Sequence, residues 1–176
     1  MDPSVEFSRP VRLDVLGTEP KGVTLEAQPQ EREALARRFA LLGIQALTAE
    51  ARVTRSGEDV LARGTLKAAV EQPCVVTGES VPASVEEPFE IVFRPQPKGT
   101  GPEEEIELSE GELDVVFYDG AAIDLGEAVA ESLALALDPY PRSPAAAEAL
   151  ANAGVKSEEE AGPFGALAAL KDKLGG

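Results

Sequence analysis

The sequence contains no histidine, no tryptophan and a single cysteine, Cys74. Without histidine, the chain lacks the usual general base near neutral pH and the commonest metal ligand. Neither a Ser-His-Asp nor a Cys-His device can be assembled from it. One cysteine excludes an internal disulfide and a multi-cysteine zinc site, and points to a reducing compartment. No tryptophan, six phenylalanines and two tyrosines argue against a base-stacking platform for single strands. No run approaches the ~18 apolar residues of a membrane span. Residues 1–12 alternate charge without an apolar run, so no signal peptide is expected and the protein is predicted to be cytoplasmic.

Acid is abundant. Thirty-two Asp and Glu stand against 16 Lys and Arg, for a net charge of −16 and a pI near 4.4. Residues 1–70 balance ten acids with ten bases and hold eight of the ten arginines. Residues 71–119 carry 13 acids and two bases, and residues 120–176 carry nine and four. Such a field keeps a protein soluble and repels phosphate backbones at long range, leaving only the Arg-bearing first part to offer a local positive face. No contact with DNA is expected. Val, Ile, Leu and Phe make up 45 of 176 residues, enough for a core, though a modest one because 27 more apolar positions are Ala.

Residues 5–13 and 22–27 read as short strands. Pro29 opens an amphipathic helix over residues 30–42, with Leu35, Phe39 and Leu42 at helical spacing and Gly43 as its C-cap. Residues 47–54 and 60–70 alternate with period two, which predicts an antiparallel hairpin. With Ser56-Gly57 as the turn, Glu50 faces Arg63 and Thr48 faces Thr65. Residues 81–94 form another strand, with Pro88 at an edge or bulge. Residues 95–102 are a loop, residues 103–114 a short acidic edge strand, and residues 113–118 a further strand. Asp124 and Glu127 form a capping box for a helix striped by Leu125, Val129, Leu133 and Leu137 and ended by Pro139. Residues 143–162 are rich in Ala, Pro and Glu and read as a flexible linker. Beyond it, Phe164, Leu167, Leu170 and Leu174 predict a short docking helix.

The carboxylates show no spaced metal-ligand loop and read as a solvated face. Gly99-Thr100-Gly101 lacks the strand, helix and Lys of a phosphate cradle. Arg52, Arg63 and Lys67 share one face of the predicted hairpin, and Arg32, Arg37 and Arg38 lie on the first helix. These six are the candidate RNA or partner contacts, each weighed against the plainer role of surface charge. Cys74, in Gln72-Pro73-Cys74-Val75-Val76-Thr77, reads as a small buried hydrophobe.

That last segment, with Gly64-Thr65-Leu66 before it and Val85-Glu86-Glu87-Pro88-Phe89 after it, resembles the YceD family of large ribosomal RNA subunit accumulation proteins. So does Ile123-Asp124-Leu125 leading into a helix that ends Leu137-Asp138-Pro139-Tyr140-Pro141. The opening Glu6-Phe7-Ser8-Arg9-Pro10-Val11 and closing Pro163-Phe164-Gly165-Ala166-Leu167 look like the alphaproteobacterial branch. The resemblance implies a non-enzymatic bacterial factor for accumulation of large-subunit ribosomal RNA, with no catalytic residues to carry over. Many members show C-x-x-C at Cys74; here Thr77 stands at the fourth position, so no such metal site can be built.

The sequence therefore predicts an α+β domain over residues 1–142, with a curved antiparallel sheet of about six strands and two packed helices. The linker and the short helix at residues 163–174 follow. The expected function is ribosome biogenesis by binding a large-subunit RNA precursor or a ribosomal protein, without metal or cofactor. The competing reading is an acidic adaptor or chaperone for basic partners, with no RNA contact.

Overall fold

Period-two alternation, interrupted by a bulge between Ile44 and Ala46, gives the molecule its two longest early strands, β3 (Gly43–Ser56) and β4 (Asp59–Pro73). In the computed structural model, which describes residues 6–97 and 114–155, they join a five-stranded sheet. Its order is β2 (Lys21–Glu26), β3, β4, β5 (Ser80–Pro95) and β6 (Asp114–Tyr118). A separate antiparallel ribbon pairs β1 (Pro10–Arg12) with β7 (Ala122–Asp124). Helix α1 (Pro29–Arg38) follows β2, α2 (Leu125–Ala136) follows β7, and α3 (Ala146–Asn152) comes last. The class is α+β. Not all pairing is antiparallel, because β6 runs parallel to β5 from Ile91↔Asp114 to Pro95↔Tyr118.

The chain divides into two units, residues 1–72 with 82–138 and residues 73–81 with 139–176. In the first, one face of the sheet presents Leu25, Leu47, Val53, Val60, Leu66 and Phe93 to Leu35 of α1 and to Leu125, Val129 and Leu133 of α2, all nearly or fully buried. Each such side chain contributes roughly 1.5–3 kcal/mol on leaving water. Gly64 lets the strands close up: a Cβ there would lie 2.2 Å from Glu50 O and 2.7 Å from the Phe89 ring.

Three local details depart from the sequence reading. The hairpin turn centres on Gly57 and Glu58, with Ser56 opposite Asp59, so Glu50 faces Thr65, Thr48 faces Lys67 and Arg52 faces Arg63. Gly57, at φ 66°, takes the first central position, where a II′ turn needs positive φ. The partners therefore shift by two residues while every side chain keeps its face. Helix α1 stops at Arg38, four residues early, because Ala40 adopts φ 53° and Leu41 N bonds back to Ala36 O at 2.9 Å. Gly43 is thus the first residue of β3 and not a cap. The first predicted strand shrinks to Pro10–Arg12 before a 3-10 turn at Leu13–Val15.

Asp124 caps α2, accepting from Glu127 N at 3.1 Å, but the Glu127 carboxylate, the other half of the expected box, is taken by Arg38. In the second unit, α3 occupies part of the stretch read as a linker, where a run of good helix formers is available. Residues 103–113 of the predicted edge strand at 103–114, most of the loop at 95–102, and Phe164, Leu167, Leu170 and Leu174 of the docking helix lie outside the described residues.

Candidate binding surfaces

The six basic candidates do not converge. Arg52, Arg63 and Lys67 sit on the outer face of the sheet, at the parity opposite to buried Val53, Ala62 and Leu66. Helix α1 packs on the inner face through Leu35 and Ala36. Arg32, Arg37 and Arg38 therefore belong to a different surface, and each has a local task. Arg32 Nη1 donates to Ala27 O at 2.6 Å, leaving its buried Nε unpaired among the described residues. Arg37 pairs with Glu33 one turn before it at 2.8 Å. Arg38 forks onto Glu127 at 3.0 and 2.8 Å and reaches Glu6 at 3.1 Å, tying α1 to α2. These two carboxylates hold the Arg38 guanidinium firmly protonated.

Arg9, which the sequence did not single out, makes the corresponding tie for the N-terminal segment. Its guanidinium lies 4.6 Å from the Phe7 ring centroid and donates to both Glu31 oxygens at 2.7 and 2.8 Å. Its backbone N–H donates to Asp124 Oδ1 at 2.8 Å. The opening Phe7-Ser8-Arg9-Pro10 is thus an anchor strap, and nothing in its local sequence reveals partners 22 and more than 100 positions away.

On the outer face, Arg52 and Arg63 are direct cross-strand partners. Arg63 also meets Glu90 at 2.6 Å, and Lys67 meets Glu86 at 3.2 Å. Arg52 has no ion-pair partner among the described residues. A shallow cavity of about 480 Å³ opens beside the pair, lined by both guanidinium-bearing residues, Thr24, Thr65, Glu50 and Gly22. The face offers two adjacent cations and two hydroxyls, with carboxylates on its flanks.

In the second unit, a tight turn closes on Cys74: Gly78 N donates to Cys74 O at 2.9 Å, with Gly78 at φ 75°. Cys74 is buried, as expected, but not in an apolar site. Its Sγ accepts from Ser143 N at 3.2 Å and Thr77 N at 3.5 Å. Burial pushes the thiol up, and these hydrogen bonds overcome it, bringing the group down to about 6. The Thr77 and Ser143 hydroxyls lie 3.2 Å apart and both donate to Glu79, which they hold below the usual carboxylate range. The donor set is one thiol, two hydroxyls already engaged and one carboxylate, which does not fit a structural zinc site. No sequence signal links Ser143 to Cys74, 69 residues away.

A family model described as Large ribosomal RNA subunit accumulation protein YceD matches residues 62–171. The chain belongs to the YceD family. Searches of curated proteins and of solved structures found no match. The YceD name carries a role in accumulation of the large ribosomal RNA subunit, and YceD is not a known enzyme family. The matched span includes Arg63, Lys67, the Cys74 turn, Asp124 and α2, while Arg52 and the α1 arginines precede it. No described helix is long and apolar enough to cross a membrane.

Proposed function

We propose that this YceD protein serves large-subunit ribosomal RNA accumulation as a cytoplasmic binding factor, without chemistry of its own, and that precursor RNA rests on the outer face of β3 and β4. The observation that carries the reading is the Arg52–Arg63 pair. Like charges directly opposite each other weaken a sheet, so a pair kept on an open face gains from an anion between them. Thr24 and Thr65 stand beside it as neutral donors. The ion pairs of Arg63 with Glu90 and Lys67 with Glu86 are exposed, worth roughly 0–1 kcal/mol, and yield readily to phosphate. The net charge of −16 acts over the ~8–10 Å of a Debye length, so contact is local and salt-sensitive.

Recovery from cell extract with and without RNase tests the reading. RNase-sensitive recovery of large-subunit precursor particles is expected. Replacing Arg52, Arg63 and Lys67 together by Gln should flatten a log–log salt slope of about −2, the value for three phosphate contacts to single strands. RNase-resistant recovery of one basic protein would instead favour the adaptor reading, which the acidic surface near α2 supports.

A further inference from the structure

We propose that a notch between the last turn of α2 and the flank of β5 receives a cationic, amphipathic protein segment, with Leu135 as the apolar contact. Leu135 is 81% exposed, the most open large apolar side chain of the described residues. It falls off the buried Leu125–Val129–Leu133 stripe of its own helix, so core packing does not require it. One exposed leucine is ordinary; its setting is not. Beside it lies a concavity of about 170 Å³ whose apolar wall is Phe89, Pro88 and Ala136 and whose polar rim is Glu87, Glu90 and Asp114. No lysine or arginine lines it among the described residues. Glu131 stands one turn before Leu135 on the same helix face.

The described pairing of β6 with β5 runs from Ile91↔Asp114 to Pro95↔Tyr118, beyond Glu87–Glu90. Pro88 lacks an N–H and disfavours strand addition there, which leaves insertion of a side chain or a helix face. Charge selects the occupant. Glu90 is held by Arg63, but Glu87, Asp114 and Glu131 have no ion-pair partner among the described residues. A phosphate backbone or an acidic segment is repelled by such a rim, whereas a Lys/Arg-rich segment is drawn to it and gains an apolar contact. The notch uses neither Arg52 nor Lys67 and shares with the RNA face only the Arg63 partner Glu90.

The test uses the full chain with a photo-crosslinking benzoylphenylalanine at Ser132, mixed with the RNA-free protein fraction of large ribosomal subunits. The expected product is a crosslink to a Lys/Arg-rich protein whose yield falls with added salt. Leu135→Asp should lower that yield about tenfold with unchanged Tm, since the position is exposed. Glu87→Gln with Asp114→Asn should lower it severalfold. A crosslink to this chain's own residues 98–113 or 164–174, capture of acidic proteins, indifference to Leu135→Asp, or no crosslink would overturn the proposal. So would equal labelling when large-subunit RNA replaces the protein fraction.

Discussion

Arg38 of α1 and Glu127 of α2, 89 positions apart, meet through two parallel hydrogen bonds of 3.0 and 2.8 Å. Both side chains are about a quarter to a third exposed, and Glu6 adds a third contact. A forked, partly desolvated pair of this kind is stronger than a surface ion pair.

Arg38→Gln should therefore destabilise the protein by ~1–2 kcal/mol, from the loss of charge-assisted bonds. For a chain of this size, that lowers Tm by several degrees, readable by calorimetry. RNA affinity should stay within twofold. A loss of RNA binding with an unchanged Tm would return Arg38 to the binding surface.

Gly126 makes a second, steric prediction. A Cβ there would stand 2.4 Å from Phe7 O and 2.8 Å from Arg9 N, both backbone atoms of the anchor strap. Gly126→Ala improves helix propensity by ~1 kcal/mol in isolation, yet it must displace the strap that carries buried Phe7 and Arg9. Net destabilisation of about 1–3 kcal/mol is expected, the usual range for overpacking. Urea titration reads it directly. A stabilised variant would mean that the strap does not pack as described.

Local and contact-level information separate cleanly along this chain. Alternation in β3 and β4, the Leu125–Val129–Leu133 stripe and the Asp124 cap are written in neighbouring residues, and all were legible. The hairpin register was not: period two fixes the face of each residue, but the choice between Ser56-Gly57 and Gly57-Glu58 turns on which central position takes positive φ. The end of α1 at Ala40 was hidden for a similar reason, since an alanine in the left-handed region has no sequence signature. Parallel pairing of β6 with β5 is likewise a tertiary outcome. The site readings suffered most. Arg38, Arg63 and Lys67 looked equivalent as cations, and only their distant partners Glu127, Glu90 and Glu86 distinguish a structural tie from a face that can release its charge.

Arg52→Glu separates stability from binding. It places a carboxylate directly opposite Arg63, replacing a like-charge pair by an opposite-charge pair. Cross-strand pairs of this kind differ by roughly 0.2–1 kcal/mol, so Tm should hold or rise slightly. Affinity for large-subunit RNA fragments should nevertheless fall, and the salt slope should become shallower. A joint fall of Tm and affinity would assign Arg52 a structural role. Unchanged affinity would remove it from the binding face.

Cys74 provides the pH-dependent prediction. Its thiol is brought to about 6 from an ordinary value of 9.0, burial opposing the change and the backbone and side-chain hydrogen-bonding groups of Ser143 and Thr77 driving it. A group whose proton is released more easily in the folded chain binds fewer protons there than in the unfolded chain between those two values, so stability rises with pH across that window. The contribution is complete above the unfolded value and is lost as pH falls through about 6. Ultraviolet thiolate absorbance of the native protein should accordingly titrate near 6 and, in urea, near 9. The stability difference between the parent and Cys74→Ala should widen as pH is raised from 5 to 9, with Glu79 already ionised throughout most of that range. Cys74→Ser keeps an acceptor for Ser143 N and Thr77 N but does not ionise, so its stability should lack this slope. A native thiol that titrates with the unfolded one would mean that Ser143 and Thr77 do not face the sulfur in solution.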